Sequence, residues 1–91
     1  MFSLQVKSNW LKEDHTQMIG NHLFYVRFCI QDNLVSLLQE DGIDISRVIF
    51  ETYELPIGYK QQDVTRLVAL RKFHINFSTE EEFVIAKLAL P

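Results

Sequence analysis

The sequence is poor in the residues that build covalently or metal-stabilised scaffolds. Its 91 residues include a single cysteine, Cys29, which cannot form a disulfide within the chain. Zinc is not expected either, because His22 and Cys29 are an odd number of positions apart and would point to opposite faces of one strand. We therefore expect stability to come from packing alone, with no metal and no cofactor.

Residues that mark common catalytic sites are also scarce. None of the three glycines belongs to a Gly-rich phosphate-binding loop, and no serine lies in a nucleophile-elbow sequence. Glu13, Asp14 and His15 could supply acid–base groups, but an acidic turn exposed to water is the simpler interpretation. The sequence predicts a protein that is not an enzyme.

Long apolar runs and an excess of positive charge are absent as well. The longest apolar tract, residues 83–90, is short and interrupted by Lys87, so we expect no membrane span. The first residues alternate in polarity and do not resemble a signal peptide, so a cytoplasmic protein is expected. The net charge of −3 argues against non-specific nucleic-acid binding, which needs clustered Lys and Arg.

What the chain does contain is the alternation of polar and apolar residues that is typical of β-strands. Residues 2–7 and 47–53 alternate and predict two strands, and residues 22–30 predict a third. The last is apolar on both faces, which indicates a central position in the sheet. The polar stretch 10–21 is predicted to be a loop.

Two amphipathic segments predict helices. The first, around residues 34–38, has Asp32 or Asn33 as its candidate N-terminal cap and Gly42 as its end.

The second helix closes the chain. Ser78 or Thr79 is its candidate cap, and Glu81 or Glu82 lies at the spacing of a capping box.

Residues 61–77 fit either of two structures. The absence of Gly, Pro, Asn and Asp between Val64 and Ile75 favours one long strand, because a helix would otherwise change to a strand without the usual breaking residues. A helix over residues 61–72 is the alternative. The predicted fold is a single α+β domain over residues 1–91, with an antiparallel sheet of about four strands, two helices on one face and ββαββα order.

The sheet face turned away from the helices is the predicted site. The residues on this face that are predicted to bind a partner are Tyr25, Arg27, Tyr53, Val68 and Leu70. A contiguous apolar and aromatic patch usually marks an interface, and aromatic and Arg residues carry much of the energy of binding. The sequence therefore predicts a non-catalytic protein–protein interaction module with a regulatory role, such as an adaptor, an inhibitor or an accessory subunit. Its partner is another protein or a second copy in a homodimer.

A single-stranded nucleic-acid-binding module using the same face is the alternative function. Tyr25 and Tyr53 could stack on bases while nearby basic residues hold phosphates. The acidic balance of the chain and the lack of the aromatic–glycine consensus of RNA-recognition domains disfavour it. Small-ligand sensing, which needs a concave pocket, is a further alternative.

Overall fold

The computed structural model describes residues 2–55 and 70–91. In chain order, the elements are β1 (Phe2–Gln5), a 3-10 turn (Ser8–Trp10), β2 (Leu11–Ile19), β3 (Leu23–Ile30), α1 (Asp32–Gln39), β4 (Ile49–Glu54), β5 (His74–Phe77) and α2 (Glu80–Ala89). All pairings between these strands are antiparallel. The small α+β fold expected from the sequence is confirmed.

The described strands form two sheets rather than one. β1 pairs with β5, while β2, β3 and β4 make a second sheet with β3 in the middle. The predicted single sheet of about four strands is therefore not the arrangement of the described residues. The difference arises because β2, which the pattern did not reveal, pairs along the whole of β3.

β2 occupies most of the stretch that was predicted to be a loop, and that prediction is wrong. Most residues of this strand are exposed to solvent, so no buried face imposes an alternating pattern on its sequence. A β-bulge between Glu13 and His15 further breaks the period. Gly20, at a φ of +62°, then lets the chain reverse into β3.

β3 is the central strand of its sheet, as the sequence predicted. Its inward side chains include Val26 and Phe28, which are completely buried. Its outward side chains, at odd-numbered positions from Leu23 to Cys29, are half-buried. β3 thus separates the core from a second, more accessible face.

The core is one cluster to which both sheets and both helices contribute. α2 packs against β1 and β5 and touches α1. The buried apolar side chains are Val6, Trp10, Leu11, Val26, Phe28, Ile30, Leu34, Leu38, Ile43, Ile45, Ile75, Phe77, Ala86 and Leu90.

The beginning of α1 differs from the prediction. The N-cap position belongs to Gln31, whose side chain makes no capping hydrogen bond, so Asp32 and Asn33 are not the caps. Asp32 is the first helical residue, and its carboxylate pairs with the Lys12 ammonium at 3.1 Å. A carboxylate in the first turn still favours the helix through its dipole.

The end of α1 follows the prediction. Gly42 adopts a φ of +76°, and its N–H donates to the Gln39 carbonyl. The Ile43 N–H donates to the Leu38 carbonyl at 3.0 Å, and both of these side chains are buried. This pair of hydrogen bonds forms a Schellman motif.

α2 has the predicted cap. The Thr79 hydroxyl accepts a hydrogen bond from the Glu82 N–H at 3.2 Å. Three acidic residues, Glu80, Glu81 and Glu82, fill the first turn, where they oppose the positive end of the helix dipole.

The long strand favoured over residues 61–77 is confirmed only at its end, where β5 spans His74–Phe77, and is wrong at Leu70 and Arg71. Leu70 and Arg71 are helical, in agreement with the alternative interpretation, and β5 begins only at His74. Lys72 adopts a φ of +51°, the left-handed conformation in which glycine usually ends a helix. The remainder of this prediction, over residues 61–69, lies outside the described residues.

Candidate functional site

We call the side of the β2–β3–β4 sheet that is opposite the core the outer face. Its side chains are those of Lys12, His15, Gln17, Ile19, Leu23, Tyr25, Arg27, Cys29, Ile49, Glu51 and Tyr53, with Asp14 beside them at the bulge. The strands bring three of the predicted site residues, Tyr25, Arg27 and Tyr53, together on this face.

Tyr25 and Tyr53 lie directly opposite each other on β3 and β4. The Gln31 N–H donates to the Trp10 carbonyl, so the odd-numbered residues of β3 direct their backbone groups towards β2. Tyr25 and Tyr53 are therefore a non-hydrogen-bonded pair, in which the two side chains come closest. Their ring centroids are 5.5 Å apart with the planes tilted by 52°.

The tyrosine pair is accessible and is extended towards β2. Tyr53 is 54% exposed and Tyr25 is half-buried. The His15 ring on β2 lies 6.2 Å from the Tyr25 ring. Three ring systems thus run across the sheet on the solvent side.

Arg27 lies in the next row of the face, between β2 and Glu51 of β4. Its Nε donates to the Asp14 carboxylate at 2.7 Å, and this hydrogen bond raises the pKa of the guanidinium. Partial burial, followed by a hydrogen bond to Glu51, raises the pKa of the Tyr25 phenol. A raised pKa favours the neutral phenol, which is the form that can donate to a carboxylate.

The row beyond contains Lys12, Cys29 and Ile49. The hydrogen bond and charge of Asp32 raise the pKa of Lys12. Burial, followed by the charge of Asp14, raises the pKa of the Cys29 thiol, which disfavours the reactive thiolate. Ile49 is 49% exposed. The outer face thus combines apolar and aromatic side chains with charged ones. Of the basic residues described on it, Arg27 lies beside Asp14 and Lys12 beside Asp32.

Two predicted site residues do not lie on a described strand of this face. Leu70 is 59% exposed but helical, so its expected place in a sheet strand is wrong. Val68 lies outside the described residues. Arg71, next to Leu70, instead holds its chain segment to β4, because its Nε donates to the Thr52 hydroxyl at 2.7 Å and its Nη2 pairs with Glu54.

Sequence reasoning missed Lys12, Asp14 and His15 as members of the face, because β2 was interpreted as a loop. The signal that could have revealed them is the Gly20–Asn21 pair, a common hairpin turn sequence just before the strongest strand.

A second, smaller set of exposed apolar side chains lies on α2. Val84 and Leu88 are one helical turn apart, and Leu88 is 82% exposed. Leu88 lies on α2 and not on the β2–β3–β4 sheet, so it serves as a control position for experiments on the outer face.

Within residues 2–55 and 70–91, no group of three His, Cys, Asp or Glu side chains is placed to hold a metal ion, and no pocket opens. Neither α1 nor α2 combines the length and the apolar character that crossing a lipid bilayer requires. Comparisons with protein-family models, with curated proteins and with solved structures found no match to this chain.

Proposed function

We propose that this protein is a small non-catalytic protein-interaction module, such as an adaptor, an inhibitor or an accessory subunit, that binds a protein partner through the outer face. The observation that carries the proposal is the accessible Tyr25–Tyr53 pair, flanked by Arg27 in the adjoining row. Aromatic and Arg side chains contribute the largest share of binding energy at protein interfaces.

The rigidity of the face supports this role. Tyr25, Arg27 and Cys29 project from the central strand, whose inward neighbours Val26 and Phe28 are fixed in the core. A preorganised surface loses less conformational entropy on binding than a loop does. The tyrosine rings also restrict each other, which further reduces that cost.

The charge arrangement favours a protein over a nucleic acid. Arg27 lies beside Asp14 and Lys12 beside Asp32, so the carboxylates reduce the positive charge that this face offers to a phosphate backbone. A cytoplasmic location is part of the same proposal, because the free thiol of Cys29 suits a reducing compartment.

A photo-crosslinking amino acid at position 53 tests the proposal in the native cell. We expect it to capture a defined protein band, and we expect the same label at position 88 on α2 not to capture that band. The double change Tyr25→Ala and Tyr53→Ala, with the label moved to position 49, should abolish the band. Capture that is equal at positions 53 and 88 would overturn the proposal.

The nucleic-acid alternative makes an opposite prediction for the same purified protein. Binding to a single-stranded oligonucleotide that weakens steeply with salt and depends on Tyr25 and Tyr53 would favour that alternative. We expect no such binding.

A further inference from the structure

The outer face carries both signs of charge in equal numbers. Lys12 and Arg27 are its strong bases, and Asp14 and Glu51 are its acids. We propose that the partner bound by the outer face is a second copy of this chain, packed face to face about a two-fold axis. This inference rests on the proposed function and names the occupant of the same face.

A two-fold interface must be complementary to itself, because both chains use the same patch: where residue i of one chain meets residue j of the other, residue j also meets residue i. A face of one charge sign would repel its own copy, whereas a balanced face buries no net charge. The outer face meets this requirement, since Arg27 is neutralised by Asp14 at 2.7 Å and the tyrosine pair next to it is uncharged.

We place the two-fold axis along β3, the central strand of the sheet. β3 is central, so a two-fold axis running along β3 lays β2 of one copy over β4 of the other. His15 and Glu51 occupy opposite ends of the same cross-strand row and would then meet between copies. Arg27 is drawn towards β2 by Asp14, which keeps its charge away from the axis.

The size of the face sets the strength of the contact. Three strands about 4.8 Å apart and four outward rows along them cover roughly 350 Å². A stable interface of standard size buries about 800 Å² per partner, so this dimer is expected to be weak. It would form at high local concentration and exchange readily.

The first experiment is sedimentation velocity on the purified chain at concentrations from about 1 μM to about 1 mM, the range of weak complexes. We expect the average mass to rise from one chain towards two. Tyr53→Lys and, independently, Ile49→Lys should each raise the Kd at least tenfold, whereas Leu88→Lys, an equal change at an exposed apolar residue outside the face, should not. Circular dichroism melting confirms that each variant is folded.

Cys29 supplies a second readout, because it is the only cysteine and lies on the central strand of the face. Packed sheets are about 10 Å apart, so a bismaleimide of about that span should join Cys29 of one copy to Cys29 of the other. We expect a crosslinked dimer that Tyr53→Lys suppresses and Leu88→Lys does not.

A mass of one chain at every concentration would overturn the inference, and so would a dimer that Tyr53→Lys and Ile49→Lys leave intact. If the chain is monomeric while position 53 still captures a different protein in cells, the inference fails and the proposed function stands. If neither a dimer nor a position-specific capture is found, both fail.

Discussion

The indole N–H of Trp10 donates a hydrogen bond to the main-chain oxygen of Pro91 at 2.8 Å, joining residues that are 81 positions apart. Trp10 is only 2% exposed, and its ring also lies beneath the Lys7 ammonium, 5.8 Å from the ring centroid. This contact connects the turn before β2 to the segment after α2. It therefore couples the three-stranded sheet to the layer formed by β1, β5 and α2.

Replacing Trp10 by Phe is expected to lower the free energy of unfolding by about 1–3 kcal/mol, because it removes a buried donor and some packing volume. Lys7→Gln should have a smaller effect, since its contact with Pro91 is exposed and 3.4 Å long. Urea unfolding of both variants measures the difference. Equal losses in the two variants would show that the indole hydrogen bond adds nothing.

Arg71→Met should destabilise the protein by about 1–2 kcal/mol, because the buried Thr52 hydroxyl loses its charged donor. The double variant Arg71→Met with Thr52→Val removes both partners and should recover part of that loss. Chemical unfolding of the single and double variants forms the test. A double variant as unstable as the sum of the two single changes would contradict a direct coupling.

Lys72→Gly should stabilise the protein by about 0.5–1 kcal/mol. The left-handed backbone at φ +51° destabilises the folded state when the residue has a Cβ. This penalty is expected to exceed the entropy that glycine loses on folding because of its greater freedom in the unfolded state. Gly42→Ala is the reverse control at φ +76°, where a Cβ would meet no atom within 4 Å, so only backbone strain would lower its stability. Thermal melts of both variants should shift in opposite directions.

Asp44 is expected to contribute to the free energy of unfolding, and this contribution is expected to disappear in acid. Its carboxylate accepts hydrogen bonds from the Ser46 hydroxyl and the Ser46 N–H, which lower its pKa below the ordinary value of 3.8. The folded state therefore favours the charged form, so the contribution is complete well above pH 3.8 and disappears as the pH falls through the lowered pKa. Asp44→Asn should be less stable than the parent at neutral pH, with the difference shrinking below about pH 4. A pH-independent difference would exclude this linkage, and Ser46→Ala should reduce the pH dependence.

Neighbouring residues on β3 should respond differently to truncation. Val26→Ala should cost about 2 kcal/mol or more, because Val26 is fully buried. Tyr25→Ala and Tyr53→Ala should each shift the urea midpoint much less, since these rings lie on the solvent side of the sheet. The comparison distinguishes a binding face from a core. A loss for Tyr25→Ala as large as that for Val26→Ala would assign Tyr25 to the core.

Local patterns were sufficient for the elements whose burial leaves a periodic trace. The two-sided apolar run of β3, Gly42 at the end of α1 and the Thr79 cap of α2 follow from steric and hydrogen-bonding rules that act within a few residues. The same alternation predicts that Tyr25, Arg27 and Tyr53 share one face of the sheet, and the register of β3 and β4 agrees.

Tertiary structure decided what those local rules leave open. β2 is a strand because β3 offers it a pairing edge, although its own sequence is polar and interrupted by a bulge. Lys72 ends a helical turn at a cost that packing offsets, since Arg71 is held by β4 and Phe73 stacks on Phe50 at 4.9 Å. The sequence by itself determined which side chains of β3 share a face, because side chains alternate along a strand, but not which of the two faces is accessible. Long-range pairing alone determined that the strands divide into two sheets. It also determined that Asp14 and His15 lie on the same face as Tyr25 and Tyr53. Local patterns do not predict either result, because the energy of these contacts depends on residues far away in the chain.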